Sequence, residues 1–289
     1  MDTVKTPFGF KKRILGGSAA HFSMSARLFT DVHLVAVIGE DFPNKHINLL
    51  LKKGINLESL IRAPGKTFHW QGEYQGDLNT AITLKTELGV LSTFNPKVCE
   101  KQRKIKNIFL ANVDPDIQRY LLGIMCSSRL VALDSMNYWI NTKRNALVRL
   151  LKEVDIFVAN DQEARSLSGE TNLIKAAKCL RSLGPKMVLI KKGEHGVLFY
   201  SDKIKVSLPA YLALKVVDPT GAGDTFAGGF MGFLSKAKRI NESIIKQALA
   251  YGTIAASFNI EGFGLERTSR LTIGELKKRL TEFKRCISF

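Results

Sequence analysis

Short apolar runs rich in β-branched residues alternate with helical patterns through most of this chain, and no other feature restricts its fold as strongly. Residues 32–38, 107–111, 130–134, 155–159 and 187–191 read as buried strands. Buried strands separated by helix-length segments are joined as βαβ units, so the expected architecture is α/β, around a mainly parallel sheet. The helices carry boundary signals of their own. Thr171 is placed to cap the start of one helix and Gly184 to stop it. Near the end of the chain Thr272 and Glu275 have capping-box spacing, followed by Ile273, Leu276, Leu280 and Phe283 on one helical face that is expected to cover the sheet.

Residues 66–93 break the rhythm. TFHWQGEYQGDLNTAITLKTEL is polar and aromatic strand material with Gly and Asn turns, and it reads as an inserted β-flap joined by a strand within residues 4–14. No internal repeat or low-complexity linker interrupts the chain, so its 289 residues are expected to form a single domain, and a 45% hydrophobic composition supplies a sizeable core. The opening MDTVKTPFGFKKR has no apolar signal-peptide core, and no stretch reaches the roughly 18 apolar residues that span a bilayer, which points to the cytoplasm and away from a membrane. Cys99, Cys126, Cys179 and Cys286 lack CxxC spacing and are expected to be buried free thiols. His21, His33, His46, His69 and His195 likewise lack the spacing of a metal site. A formal charge of +17, from 43 Lys+Arg against 26 Asp+Glu, would attract polyanions. The basic residues nevertheless sit in short groups at 11–13, 101–106 and 277–279, mixed with acids and not interleaved with aromatics. Solvated surface is therefore a better reading than a nucleic-acid face.

The chemistry is concentrated in residues 216–234, VVDPTGAGDTFAGGFMGFL. Pro219 and Gly221 stop a strand, and the small residues beside them let a ligand approach the backbone. A helix follows, with Phe226, Phe230, Phe233 and Leu234 on an apolar face. A Gly-Ala-Gly turn feeding a helix aims free N–H groups from Gly221 to Asp224 outward, and the helix dipole adds partial positive charge there. Such a turn is the start of an anion hole. Gly228 and Gly229 each cost about 1 kcal/mol relative to alanine inside a helix, so the sheet or a ligand is expected to press closely on them. Alone, Asp224 would more often be an acid at a helix start than a base.

DPTGAGDTFAGGF resembles, along its whole length, the C-terminal signature of the ribokinase or PfkB carbohydrate kinase family. The resemblance implies an enzyme that transfers the γ-phosphoryl group of ATP to a hydroxyl of a small sugar, sugar phosphate or nucleoside. It implies that Asp224 is the catalytic base and that the amides of Gly221, Ala222 and Gly223 form the anion hole. That suits phosphoryl transfer, which needs a positioned base and preorganised donors more than covalent help. It implies further that Asp218 and the Thr220 backbone hold a monovalent cation such as K⁺ behind the hole, where Asp218 would otherwise merely cap the turn.

Other segments extend the resemblance. Asn160 and Glu163, in NDQE after the strand at 155–159, match an NxxE motif implied to organise Mg²⁺ and its waters beside the ATP phosphates, with no protein-only metal site. By itself the pair is a helix start with a capping-box acid. Lys192, Gly193 and Gly196, in KKGEHG, match a nucleotide-binding GxxG turn from which Lys192 would reach the phosphates, and residues 251–264 resemble the helix and loop flanking the adenine. Gly16 and Gly17, in GGSAAH, resemble a diglycine whose backbone touches the sugar, although His21 stands where the family usually has Asn. Asp2 takes the place of a substrate-gripping carboxylate that accepts from two hydroxyls, with Asn112 and Asn137 as further pocket candidates. The resemblance spans residues 2 to about 271. It implies a doubly wound αβα sandwich with a small β-lid at about 3–14 and 64–93, whose closure would exclude water and through which a homodimer could form.

Two rival readings are weaker. Gly65-Lys66-Thr67 looks like a Walker A ending, but position 60 is Leu and the segment leads into strand-like sequence. A catalytically silent kinase-fold module that binds nucleic acid or other polyanions is favoured by the net charge alone. Members of the family begin with a strand and a turn before the substrate Asp, whereas here Asp2 follows Met1. Each group left unpaired by a missing interior strand costs about 1–3 kcal/mol, so the natural chain is expected to start upstream.

Overall fold

The computed structural model describes residues 1–76 and 78–287. The chain divides into two compact units, Met1–Lys97 with Tyr211–Phe289, and Val98–Ala210. The first unit opens with strands β1 (Asp2–Thr6) and β2 (Gly9–Ile14), helix α1 (Ser18–Ala26), strand β3 (Val32–Ile38), helix α2 (Asn44–Lys52) and strands β4 (Ile55–Arg62), β5 (His69–Tyr74) and β6 (Ala81–Glu87). β3 and β4 pair in parallel across α2. The flap is present, and the residues before Gly16 give it two strands, not one. Its sheet runs β2-β1-β5-β6, with β1 and β5 parallel and the outer pairs antiparallel.

One carboxylate ties this sheet to the end of β3. Asp41 Oδ1 accepts from both the amide and the hydroxyl of Thr67 at 2.7 Å, Arg13 donates to Oδ2 at 2.6 Å, and the Gly39 amide donates to the Thr67 hydroxyl at 2.9 Å. Burial pushes the Asp41 carboxyl up, but these donors outweigh it and hold the group at about 2. Because the folded value is depressed, the contribution is complete above the unfolded carboxyl range near about 3.9 and is lost as pH falls toward 2.

The second unit contains α3 (Glu100–Arg103), β7 (Asn107–Leu110), α4 (Pro115–Ile124), β8 (Leu130–Asp134), α5 (Asn137–Thr142), α6 (Arg144–Leu151), β9 (Ile156–Asn160), α7 (Asp161–Ser168), α8 (Leu173–Ser182), β10 (Met187–Lys191), β11 (Val197–Tyr200) and β12 (Lys205–Leu208). Its sheet runs β12-β11-β10-β9-β8-β7, parallel from β7 to β10 and antiparallel beyond. The parallel strands are the buried runs read from sequence. Leu133, Phe157 and Ile190 meet Leu147, Leu150 and Leu180 from the covering helices in one core. Asn172, not Thr171, caps α8, because its side-chain oxygen reaches two orphan amides, those of Ile174 and Lys175. Gly184, at φ +143°, follows the end of that helix.

The first unit resumes with α9 (Ala222–Ser235), α10 (Glu242–Asn259) and α11 (Ile273–Ile287). Thr272 and Glu275 form the expected capping box on α11. Leu276, Leu280 and Phe283 are buried, but Ile273 stays exposed, since the first position of a helix has neighbours on one side only. The cysteines are free, yet Cys99, Cys126 and Cys286 are exposed and Cys179 is half-buried, so the expectation of buried thiols fails. Among the described residues no helix is long and apolar enough to cross a membrane.

Helix α9 packs against α1 on one side and α10 on another through glycines. A Cβ on Gly228 would overlap the Phe22 carbonyl and lie 2.9 Å from Ser25 Cβ, and one on Gly232 would lie 3.1 Å from Ala26 Cα. On the α10 side a Cβ on Gly229 would lie 3.1 Å from Gly252 Cα. Neighbouring helices, rather than the sheet or a ligand, therefore explain Gly228 and Gly229. Phe226, Phe230 and Leu234 are buried, while Phe233 is half-buried and stacks on Tyr251 at 4.8 Å. Gly228→Ala is expected to destabilise the protein by about 1–3 kcal/mol through overpacking. Gly123→Ala in α4, where a Cβ meets nothing within 4 Å, should stabilise by about 0.5–1 kcal/mol. Thermal and urea unfolding of the two variants checks both signs.

Candidate active site

The turn before α9 is shaped by Gly221, which sits at the helix N-cap with φ +74°. A residue with a Cβ would be strained there, and the His21 ring occupies the space the Cβ would take. The Ala222 amide donates back to Pro219 O at 3.1 Å, and the Thr225 amide to Gly221 O at 2.8 Å. Of the three amides expected to form the anion hole, that of Ala222 is thus spent within the turn. The amides of Gly221 and Gly223 stay at the start of α9, where first-turn N–H groups lack intrahelical acceptors. Asp224 is half-buried at the third helical position.

Behind the turn Asp218 is fully buried. Its Oδ1 accepts from the Thr220 amide at 2.9 Å and its Oδ2 from the Gly264 amide at 3.1 Å. Burial raises its carboxyl above the ordinary range, against the pull of these donors. Asn259, at the end of α10, donates from Nδ2 to Thr220 O at 2.8 Å and accepts at Oδ1 from Thr225 Oγ1 at 3.0 Å. Its Oδ1 also faces His21 Nδ1 at 2.9 Å.

Tyr74 on β5 accepts from Thr220 Oγ1 at 3.4 Å. Its hydroxyl is pushed up to about 12, first by burial and then by the negative charges of Asp218, Asp2 and Asp224. Those three carboxylates therefore all lie near enough to act on one phenol. Asp2 is itself buried, and its Oδ2 accepts from the Gly17 amide at 3.2 Å. A Cβ on Gly16 would collide with the same carboxylate. Asp2, Gly16, Gly17, His21, Asp218, Thr220, Gly221 and Asp224 thus form one neighbourhood of the first unit. Tyr74 and Asn259 belong to it and went unnoticed in the sequence; the only signal was an aromatic residue in the polar flap.

In the second unit Asn160 and Glu163 make a complete capping box. Asn160 Oδ1 accepts from the Glu163 amide, and Glu163 Oε2 from the Asn160 amide, both at 2.7 Å. Glu163 is buried rather than solvated. Lys191, which lies opposite Asn160 in the β9–β10 register, forms a shielded ion pair with Asp134 at 2.9 Å that the sequence reading missed. The next residue, half-buried Lys192, closes the β10–β11 turn by donating its amide to Gly196 O at 2.8 Å. Gly193 and Gly196 have φ +56° and +84°, and a Cβ on Gly196 would overlap the Leu208 carbonyl, so both glycines have a conformational reason to be there. Asn112 follows β7, two strands away from β9, and its Oδ1 is buried without a hydrogen-bond partner among the described residues. Asn137 opens α5.

A family model described as pfkB family carbohydrate kinase matches residues 2–270. A cytidine kinase of Thermococcus kodakarensis is 31% identical over 252 residues, covering 84% of this chain and 88% of that protein. Among solved structures, the nucleoside kinase of Methanocaldococcus jannaschii, a ribokinase-family member, aligns with a TM-score of 0.77 at 20% identity, over 97% of this chain and 95% of the other. A putative ribokinase II from E. coli in complex with ATP and Mg²⁺ aligns with a TM-score of 0.76 at 18% identity, over 97% and 96% of the two chains. The fold is ribokinase-like.

Because both acceptors of the α7 capping box are side-chain oxygens, Asn160→Ala should lower stability by about 0.5–2 kcal/mol in the absence of any nucleotide. Asn160→Asp, which keeps an acceptor for the Glu163 amide, should lose less. Urea unfolding of the two variants measures the difference, and equal stability would show that the box contributes nothing.

Proposed function

This chain belongs to the pfkB family of carbohydrate kinases, and we propose that it transfers the γ-phosphoryl group of ATP to a hydroxyl of a ribonucleoside, with cytidine the first acceptor to test. That it is an ATP-dependent kinase of a sugar or nucleoside follows from the family; the nucleoside is favoured by the similarity to a cytidine kinase over most of both chains. The observation that carries the reading is that Asp2 and Asp224 both act electrostatically on one phenol, that of Tyr74, which also hydrogen-bonds Thr220 just ahead of the glycine turn at the start of α9.

In this reading the acceptor is held by the Asp2 carboxylate and the backbone at Gly16 and Gly17. Asp224 takes the proton of the hydroxyl whose oxygen attacks the γ-phosphorus, and ADP leaves on the opposite side. The amides of Gly221 and Gly223, reinforced by the α9 dipole, stabilise charge on the phosphoryl oxygens in flight. We assign ATP contacts to Lys192, Gly193 and Gly196, and Mg²⁺ to Asn160 and Glu163. Mg²⁺ supplies charge neutralisation at the phosphates.

A monovalent cation such as K⁺ fits Asp218 and the Thr220 carbonyl, because a buried carboxylate with no lysine or arginine paired to it among the described residues gains from a cation. The four-stranded flap sheet is assigned the role of lid. Its exposed Phe8, Phe10, Ile82 and Leu84 suit a lid-to-lid homodimer.

Asp224→Asn should lower kcat by about 10²–10⁴ while leaving ATP binding nearly intact, since only the proton acceptor is lost. ADP release over nucleosides, sugars and sugar phosphates, with and without K⁺, measures it. Turnover by the variant equal to that of the parent overturns the base assignment. No turnover of any acceptor by the parent, together with salt-sensitive DNA binding, would instead favour a silent binding module.

A further inference from the structure

We propose that His21 is a positioning residue for the phosphoryl-transfer turn, acting through Asn259 and Gly221; the catalytic half of this statement rests on the kinase reading above. The protonation of the cluster follows from its hydrogen bonds. A backbone carbonyl can only accept, so the Asn259 atom 2.8 Å from Thr220 O is the amide nitrogen. The other end of the Asn259 side chain is then an oxygen, and it takes the Thr225 hydroxyl proton at 3.0 Å. His21 Nδ1, 2.9 Å from that same oxygen, must therefore carry a proton and donate it.

Asn259 in this way joins Thr220, ahead of the turn, to Thr225, inside the first turn of α9, and to His21 from α1. The imidazole does a second thing. An ideal Cβ on Gly221 would lie almost equally close to Cγ, Cδ2 and Cε1 of the ring, so the ring lies face-on over that glycine. The next residue in α1, Phe22, has its carbonyl pressed against Gly228 of α9, which leaves the ring little room to move. The turn is thus stapled at both ends by an amide and covered in the middle by an imidazole.

The remaining nitrogen, His21 Nε2, is buried with no hydrogen-bond partner among the described residues, and His21 as a whole is 1% exposed. An unsatisfied buried acceptor costs about 1–3 kcal/mol. A phenylalanine would cover Gly221 without that penalty. What imidazole supplies and a hydrocarbon ring does not is the Nδ1–H that completes the Asn259 cluster, so the cluster, and the turn it sets, is the function of this side chain.

The test separates ring from donor. His21→Phe keeps a ring over Gly221 and removes the donor, while His21→Gln keeps an N–H donor and removes the ring. His21→Phe should lower kcat by about 10- to 100-fold through misplacement of the turn, with KM for ATP and acceptor within about twofold of the parent. His21→Gln should recover part of the loss. Combined with Asn259→Ala, His21→Phe should add nothing to the loss caused by Asn259→Ala alone, because both act through one contact. Hydrogen exchange, which needs no substrate, should be faster at the Ala222 and Thr225 amides in His21→Phe than in the parent. If the parent phosphorylates nothing, the kinase reading fails while the exchange measurement still decides the clamp. Unchanged exchange at those amides, or a double variant whose losses multiply, overturns the proposal, and so does a His21→Phe variant that melts lower but keeps the parental kcat. Should His21→Phe not fold, His21→Gln and Asn259→Ala carry the same exchange test.

Discussion

The close approach of α9 to α1 and α10 is the constraint on which the rest of the first unit depends. Glycines at 228, 229, 232 and 252 each give up about 1 kcal/mol of helix propensity, and in return backbone meets backbone where side chains would hold the helices apart. The benefit is geometric before it is energetic. With α1 against one face of α9 and α10 against another, His21 from the first and Asn259 from the second both reach the turn that starts α9. An alanine at Gly228 would push α1 outward, and His21 and Gly17 would move with it.

The electrostatics of the turn place opposite signs a few residues apart. Burial, and then the negative charges of Asp218, Asp2 and Asp224, push the Tyr74 phenol up to about 12. The start of α9 presents the positive end of a helix at Gly221 and Gly223. A proton acceptor and an anion receptor are what transfer of a phosphoryl group to an alcohol requires, and in the proposed reading four residues of chain supply both. Asp218 is the expensive member, since its burial disfavours the charge that its two amide donors favour. Its position under the turn explains the arrangement: it fixes Thr220 and Gly264 at once, linking the α9 turn to the loop after α10.

What could be read from sequence was local. The parallel strands were legible because buried runs of β-branched residues need no partner to be recognised, and the α9 turn because its glycines and acids are contiguous. Glu163 shows the limit: its spacing from Asn160 gave the capping box, whereas only the packed structure shows that its carboxylate is buried. Tyr74 and Asn259 were illegible because their contacts join residues 146, 39 and 238 positions apart. His21 stood out as a departure from a motif, but the fixed orientation of its ring depends on an asparagine that nothing near it in sequence announces. A Gly-Ala-Gly turn does not say which of its amides also bond within the turn, as that of Ala222 does to Pro219 O.

The helix starts themselves divide along functional lines. α4, α7, α8, α10 and α11 close their first amides with side chains, from Asp114, Asn160, Asn172, Asn241 and Thr272 in turn. α1 and α9 do not: each begins at a glycine with positive φ, Gly17 and Gly221, and neither has a side-chain cap. α2, α3, α5 and α6 are also uncapped, but the residues just before them, Pro43, Cys99, Met136 and Lys143, all carry side chains. An uncapped helix start lacks about 0.5–2 kcal/mol that a Ser, Thr, Asn or Asp would contribute, so leaving it bare is a stability cost unless another group takes the amides. At Gly17 that group is the Asp2 carboxylate. At Gly221 the bare glycine leaves the helix start open to an anion, with the His21 ring, rather than a cap, holding the backbone in shape.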